Sequence, residues 1–308
     1  MCFFRTRSRS NRSTFPQLND VKTELREGWK IRALRAALVR GLCPGVIASA
    51  LFFAFVATSF CLPTWQSTVT KEPPGNFAGP RPLRALYHFG WSGFTAATGE
   101  VHFNKLTGNR FQLEAAGRTT GLVRALWRLD VNYHALADGE TLRPIESTQT
   151  EAYRFKKIVT HLVFTNSGVA RTRTEGPGAG TAKAREFAFP GLFDLHTALL
   201  YLRSQPLKDH TIYRIVVYPA TSAYLATITV LGREKIAVHA GTYNAIKADL
   251  QLKRLGKNLE LEPHRKFHRA TVWISDDADR IPLRAEAQIF VGTVFADLHS
   301  VEFEGSRP

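Results

Sequence analysis

Residues 267–303 constrain this chain more than any other stretch. They read F-H-R-A-T-V-W-I-S-D-D-A-D-R-I-P-L-R-A-E-A-Q-I-F-V-G-T-V-F-A-D-L-H-S-V-E-F. Two runs of strand character flank an Asp-rich turn, Ser275-Asp276-Asp277-Ala278-Asp279. In the second run Leu283, Ala285, Ala287, Ile289 and Val291 alternate with Arg284, Glu286 and Gln288. A period of two places the apolar set on one face of a sheet and the charged set on the other. A third run, 294–303, follows Gly292 closely enough for a meander. Such a sheet has one covered face and one wet face, so the upstream chain must supply the cover.

The upstream chain repeats the pattern. Runs 86–91 and 99–105 flank a Gly/Ala/Thr-rich bend, and Phe111, Leu113 and Ala115 alternate with Gln112 and Glu114. Leu129, Val131 and Tyr133 alternate with Asp130, Asn132 and His134. Runs 144–154, 158–165 and 169–174 continue the series, with Asn166-Ser167-Gly168 as a hairpin turn and 121–127 as a short helical turn. Residues 175–181 read as a flexible loop; their G-x-G-x-G spacing, with no helix following directly, does not make a nucleotide cradle.

One longer helix stands out. Asp194 is a fitting N-cap for a run to about Ser204, and Pro206 helps to close it. Leu192, Leu195, Leu199 and Leu202 recur at three- and four-residue steps, with His196 and Arg203 elsewhere on the wheel. This predicts a helix laid on one face of the sheet, either filling core or acting as a lid over an apolar cavity. Runs 212–218, 225–231, 235–239 and 245–253 follow, the last with Ala248, Leu250 and Leu252 on one face. About a dozen strands and one convincing helix predict an all-β, mainly antiparallel fold. The expected form is a strongly curved sheet or partly closed β-barrel with one amphipathic helix packed on it.

Charge and cysteine separate the chain into parts. The net charge of the 308 residues is +15. Residues 1–62 hold ten Lys/Arg against three Asp/Glu, and 63–308 hold thirty-one against twenty-three. Residues 1–40 form a basic N-terminal segment. Residues 41–62 read as a signal peptide or signal anchor, because the charge-free run 46–62 follows Lys30, Arg32, Arg35 and Arg40. Ala57-Thr58-Ser59 offers a small-x-small cleavage site, while Thr58-Ser59-Phe60-Cys61 is a poor lipobox; the lead-in is long for a signal peptide, so cleavage and retention both stay open. Residues 63–82 are Pro-rich and read as a linker, leaving 83–308 as a β-rich exported domain. Cys2, Cys43 and Cys61 all precede Pro63, which excludes a disulfide framework or a cysteine zinc site from that domain.

Several fragments, taken in order, resemble the bacterial exported family catalogued as domain of unknown function 3108. They are Tyr87-His88-Phe89-Gly90-Trp91-Ser92-Gly93, Thr141-Leu142-Arg143-Pro144, and Phe193-Asp194 leading to Tyr201-Leu202-Arg203. Gly241-Thr242-Tyr243-Asn244-Ala245 follows, then Val272-Trp273-Ile274-Ser275-Asp276 with Arg280-Ile281-Pro282-Leu283-Arg284 and Gly292. The resemblance spans roughly residues 83–303 and implies an envelope-exported, largely β domain. It implies no reaction and brings no catalytic residues. The long basic N-terminus departs from the short leader usual in the family.

No nucleophile elbow, H-E-x-x-H helix, S-x-x-K pair or Walker loop occurs, so no enzymatic reaction is expected. His264 and His268 are four apart but sit among three Lys/Arg beside Pro263, a poor setting for a cation. Asp276, Asp277 and Asp279 read as a tight turn whose side chains bond local N–H groups, with Arg280 offsetting their charge. No metal and no cofactor are expected. Residues 253–269 are the most basic segment, and Lys253, Arg254, Arg265, Lys266 and Arg269 are candidates for contact with an anionic membrane surface. Nucleic acid is not an expected partner for an exported chain.

The function that fits best is a non-enzymatic envelope protein that binds an apolar or lipid-like ligand in envelope assembly. Leu195, Leu199, Leu202, Leu250 and Ile289 are the candidate cavity residues. The alternatives are a structural or protein-interaction module of the periplasm without a small-molecule ligand, and a hydrolase with an unfamiliar site. Oligomeric state is not legible in the sequence.

Overall fold

The computed structural model describes residues 64–176, 182–263, 269–289 and 292–304. The basic N-terminal segment, the apolar run with its cleavage site, and all three cysteines lie outside the described residues. So do His264, Arg265, Lys266, His268 and positions 177–181 of the Gly-rich loop.

The alternating runs form strands β1 (Leu83–Trp91), β2 (Phe94–Leu106), β3 (Arg110–Thr119), β4 (Leu129–Asp138), β5 (Pro144–Tyr153), β6 (Lys157–Thr165), β7 (Gly168–Gly176) and β8 (Lys183–Ala188). A short helix α1 (Gly121–Leu126) sits between β3 and β4. After helix α2 (Leu195–Ser204) come β9 (Ile212–Val217), β10 (Tyr224–Val238), β11 (Gly241–Leu255), β12 (Leu261–Pro263), β13 (Arg269–Ser275), β14 (Pro282–Ile289) and β15 (Gly292–Phe303).

All strands join one antiparallel sheet in the order β8-β7-β6-β5-β4-β3-β2-β1-β15-β14-β13-β11-β10-β9, with β12 folded back on β11. The sheet is not closed: β8 and β9 are its two edges. The first and last strands lie side by side in the middle, and two meanders run outward from them.

Two local features escaped the sequence. Strand β8 was hidden behind the Gly-rich loop. The runs 225–231 and 235–239 are one continuous strand, β10, with a register shift between Val230 and Gly232. Gly232 sits at φ +152°, a conformation that side chains rarely adopt, so the bulge passes through glycine without breaking the pairing.

Helix α2 crosses between the two meanders and packs on both. Leu200 joins Phe103, Phe111, Ala137 and Leu142 of the first meander. Ala198, Tyr201 and Leu202 join Tyr213, Ile215, Ile228 and Ile246 of the second. Each buried Leu, Ile or Phe among these contributes about 1.5–3 kcal/mol. Farther out, Leu162 and Val169 of β6 and β7 share a buried cluster with Val216 and Leu225 of β9 and β10.

The expected apolar stripe of α2 is corrected by this arrangement. Leu195 and Leu199 are 51% and 45% exposed, whereas His196 and Arg203 are buried at 2% and 9%. The helix is covered on nearly every side, so its exposed strip is the narrow one and polar groups had to be buried.

Part of that cover is the Pro-rich segment. Its composition reads as a linker, but residues 64–82 are pinned along the edge of β9 and along α2. Thr70 N donates to Arg214 O at 2.8 Å, and Arg214 N donates back to Thr70 Oγ1 at 2.8 Å. Tyr201 OH donates to Glu72 O, Gln205 Nε2 to Pro73 O, and Arg203 Nη1 to Ala78 O. Trp65, in a 3₁₀ turn (Trp65–Thr68), stacks on Phe189 at 5.6 Å. Proline suits such a strap because it fixes an extended backbone that presents carbonyls to outside donors.

Candidate functional site

The face of the sheet under α2 is built by the period of two. Along β1, Leu83, Ala85, Tyr87 and Phe89 point to it; their neighbours across β2 are Phe103, Val101, Gly99 and Ala97. On β3, Leu113, Ala115 and Gly117 continue the same rows, opposite Phe103, Val101 and Gly99. On β2 and β3 large side chains (Phe103, Leu113) stand at one end and small ones (Gly99, Ala97, Gly117) at the other, while Phe89 of β1 leans over Gly99.

The result is an apolar groove. A cavity of about 320 Å³ lies between this floor and α2; Leu83, Ala85, Phe103 and Leu113 line it from below, with His196, Leu199 and Leu200 on the helix side. A second cavity of about 280 Å³ lies over Gly99, Ala115, Gly117, Leu129 and Val131. Both are lined by Phe89 and Val101, so the two adjoin along the floor; only the first is roofed by α2.

One end of the groove is polar. Pro80, Arg81, Arg203, Asp279 and Arg280 line it there. Arg81 grips Asp279 with two hydrogen bonds, of 2.9 and 2.7 Å, which ties the strap to the Asp-rich turn. That turn is built as the sequence predicted: Asp277 Oδ1 accepts from Ser275 Oγ, Asp279 N and Arg280 N. Arg280 feels the charge of Asp276, as expected, but does more. It turns inward, donating to the carbonyls of Arg203, Gln205 and Pro206, under the ring of Phe77 at 3.3 Å. Burial pushes its pKa down. The charge of the turn is met by Arg81 and by Arg233, 3.4 Å from Asp276.

The start of α2 carries buried ionisable groups. Asp194 forms a capping box with Thr197, accepting from Thr197 N and Oγ1 at 2.7 Å while its own N–H donates to Thr197 Oγ1. Tyr133 OH donates to the other carboxylate oxygen at 3.1 Å. Burial raises the pKa of Asp194. Beside it, burial pushes the His196 imidazole down to about 3, so the ring is neutral at any ordinary pH. Its Nε2 is buried without a hydrogen-bond partner among the described residues. The ring lies against Phe103 with centroids 5.8 Å apart. Among the described residues no group of His, Cys, Asp and Glu could hold a metal ion.

Of the cavity residues expected from sequence, Leu199 lines the groove. Leu202 and Leu250 pack instead in the core between α2 and β9–β11. Leu195 faces solvent, and Ile289 lies at the far end of β14, opposite Gly292. The groove residues on β1–β3 were missed; the readable signal was the run of Gly and Ala at inward positions of strands that are otherwise well formed. Of the basic candidates, Lys253 is exposed, Arg254 pairs with Glu262 at 3.2 Å, and Arg269 pairs with the buried Asp249.

A family model described as a protein of unknown function, DUF3108, matches residues 86–299, which takes in the groove, α2 and the central strands. The chain belongs to the DUF3108 family. No curated protein matches this DUF3108 chain. Among solved structures its fold is similar to that of a β-barrel-like protein of domain of unknown function DUF1849 from Brucella abortus. The TM-score there is 0.53 and the identity 10%, over 74% of this chain and 100% of that one. A candidate lipoprotein from Parabacteroides distasonis ATCC 8503 aligns at TM-score 0.31 and 8% identity, over 75% of this chain and 100% of that one. A candidate exported protein with a YmcC-like fold from Bacteroides fragilis NCTC 9343 aligns at 0.28 and 9%, over 73% and 99%. The last two scores are too low to carry an argument. No helix among the described residues is long and apolar enough to cross a membrane.

Proposed function

We propose that this DUF3108 protein is an exported, non-enzymatic envelope protein that holds an apolar or lipid-like ligand in the groove beneath α2. The observation that carries this reading is the groove's floor. Ala115 and Gly117 leave a volume that larger side chains at those positions would fill, an emptiness that a well-packed fold avoids. The clusters joining the two meanders support a strongly curved sheet that wraps its single long helix and gives the groove its walls. The charge-free run 46–62 after a basic flank supports export.

The test is mass spectrometry of organic extracts from the exported chain, purified gently, as wild type and as Gly117→Val. A Cβ at Gly117 meets nothing closer than Thr98 O at 3.6 Å, so valine fills the groove without displacing backbone. Stoichiometric lipid or another apolar molecule in wild type, absent from the variant, is the expected result. An extract that stays empty after incubation with envelope lipids refutes the ligand and moves the weight to an interaction module.

A further inference from the structure

The end of the sheet remote from the Asp-rich turn carries an apolar tip that the groove reading does not use. The β1–β2 turn, α1 and the β5–β6 turn all lie at this end. Thr120 N donates to Ala96 O, and Arg154 Nη2 to Ala125 O, so the three are held together. Their large apolar side chains point outward: Phe94 is 71% exposed, Leu122 78%, Leu126 88%, Trp127 54% and Phe155 84%. A folded protein rarely concentrates apolar side chains at such exposure without a partner for them.

The charge around the tip says which partner. Segments 118–130 and 154–157 hold six Lys/Arg (Arg118, Arg124, Arg128, Arg154, Lys156 and Lys157) against Asp130. Asp130 is taken by Arg124 at 2.7 Å, and Lys156 reaches Glu175 at 2.9 Å. Arg118, Arg154 and Lys157 pair with no carboxylate among the described residues. The registers of β11, β13 and β14 bring the exposed Lys253 and Lys257 to the same end of the sheet. Protruding aromatic and leucine side chains ringed by cations match the interface of an anionic bilayer, where rings sit at headgroup depth and cations meet phosphates. A second copy of this chain would bring like charges together.

We propose that this tip docks on an anionic membrane surface, with Phe94, Leu126, Trp127 and Phe155 entering the interface. The proposal stands independently of the groove ligand, although Phe89, which lines both cavities, is only two residues from the β1–β2 turn.

The experiment is hydrogen exchange of the full chain bound to vesicles of phosphatidylcholine alone or mixed with phosphatidylglycerol. Exchange at 121–127 and 153–157 should slow at least about tenfold on the mixed vesicles, and high salt should reverse this. The variant Leu126→Ser/Phe155→Ser, which alters only exposed positions, should lose the protection while keeping its melting temperature. Equal exchange with and without the anionic lipid, in a chain that floats with the vesicles through another segment, overturns the proposal. So does protection that arises without vesicles as protein concentration rises, which would assign the tip to a second copy. Neither result touches the extract experiment, so the two readings fail separately.

Discussion

Gly75 N donates to Ser204 Oγ at 3.0 Å, joining the strap to the last turn of α2 across 129 residues of chain. The approach is so close that a Cβ on Gly75 would stand 2.2 Å from Ser204 O. Gly75→Ala therefore forces the strap off the helix. The expected cost is about 1–3 kcal/mol, from overpacking and from the lost contacts of Tyr201 and Gln205. Thermal unfolding should show it as a melting point lowered by roughly 2–4 °C per kcal/mol. An unchanged melting point would mean that the strap contributes nothing to the fold.

Gly99 and Gly117 are neighbours on the groove floor but differ in room. A Cβ at Gly99 meets Phe89 Cε2 at 2.8 Å, while Gly117 has open space above it. Gly117→Val should leave stability level or slightly raised, because valine favours a strand. Gly99→Val should displace Phe89 and lower stability by about 1 kcal/mol or more. Denaturant midpoints compared at equal slope separate the two; equal effects would argue against a floor that is open at one position and tight at the other.

His196 predicts a pH dependence. The unfolded ring takes a proton near its ordinary value of 6.5, whereas the folded ring refuses it until about 3. Protonation thus favours the unfolded chain as pH falls below 6.5. Wild type should lose about 1.4 kcal/mol per pH unit over that window relative to His196→Gln. Asp194, whose pKa burial raises, gives a slope of the opposite sign, but it is present in both proteins and cancels in the difference. Parallel stability curves for wild type and variant between pH 6.5 and 4 would show that the ring is protonated in the fold.

Arg280 is held by three backbone carbonyls and a phenyl ring, with Asp276 more distant. A lysine carries the charge but cannot reach carbonyls on divergent lines or stack flat on Phe77. Arg280→Lys should cost about 1–3 kcal/mol, since it leaves buried acceptors unmet. Chemical denaturation tests this, and a neutral result would mean that solvent already serves those carbonyls.

What could be read from sequence was whatever depends on neighbours along the chain. The alternation of Leu283 and Ala287 with Arg284 and Gln288, the cap at Asp194 and the turn around Asp277 follow from local rules, and the structure reproduces them. What depends on a distant partner was not legible. The strap looks like a linker because its carbonyls find their donors on Tyr201, Arg203 and Gln205. The leucines of α2 suggested one buried face, yet a helix covered from several sides also buries His196 and Arg203, and no periodicity announces that. The groove was legible only in retrospect, since a glycine in a strand reads equally as a bulge or a close approach until its cross-strand neighbour is known. The exposed aromatics of the tip carry no pattern in sequence at all.

The pairing of β1 with β15 along their whole lengths, closed off by Glu304 N donating to Pro82 O at 2.9 Å, has a consequence for how the molecule is made. Each meander can zip from its own hairpins, but the seam between them waits for β15. Until then β1 and β14 are raw edges, and a chain lacking β15 (Gly292–Phe303) would keep them so. β15 is thus the zip's slider: the two leaves meet only once it is in place.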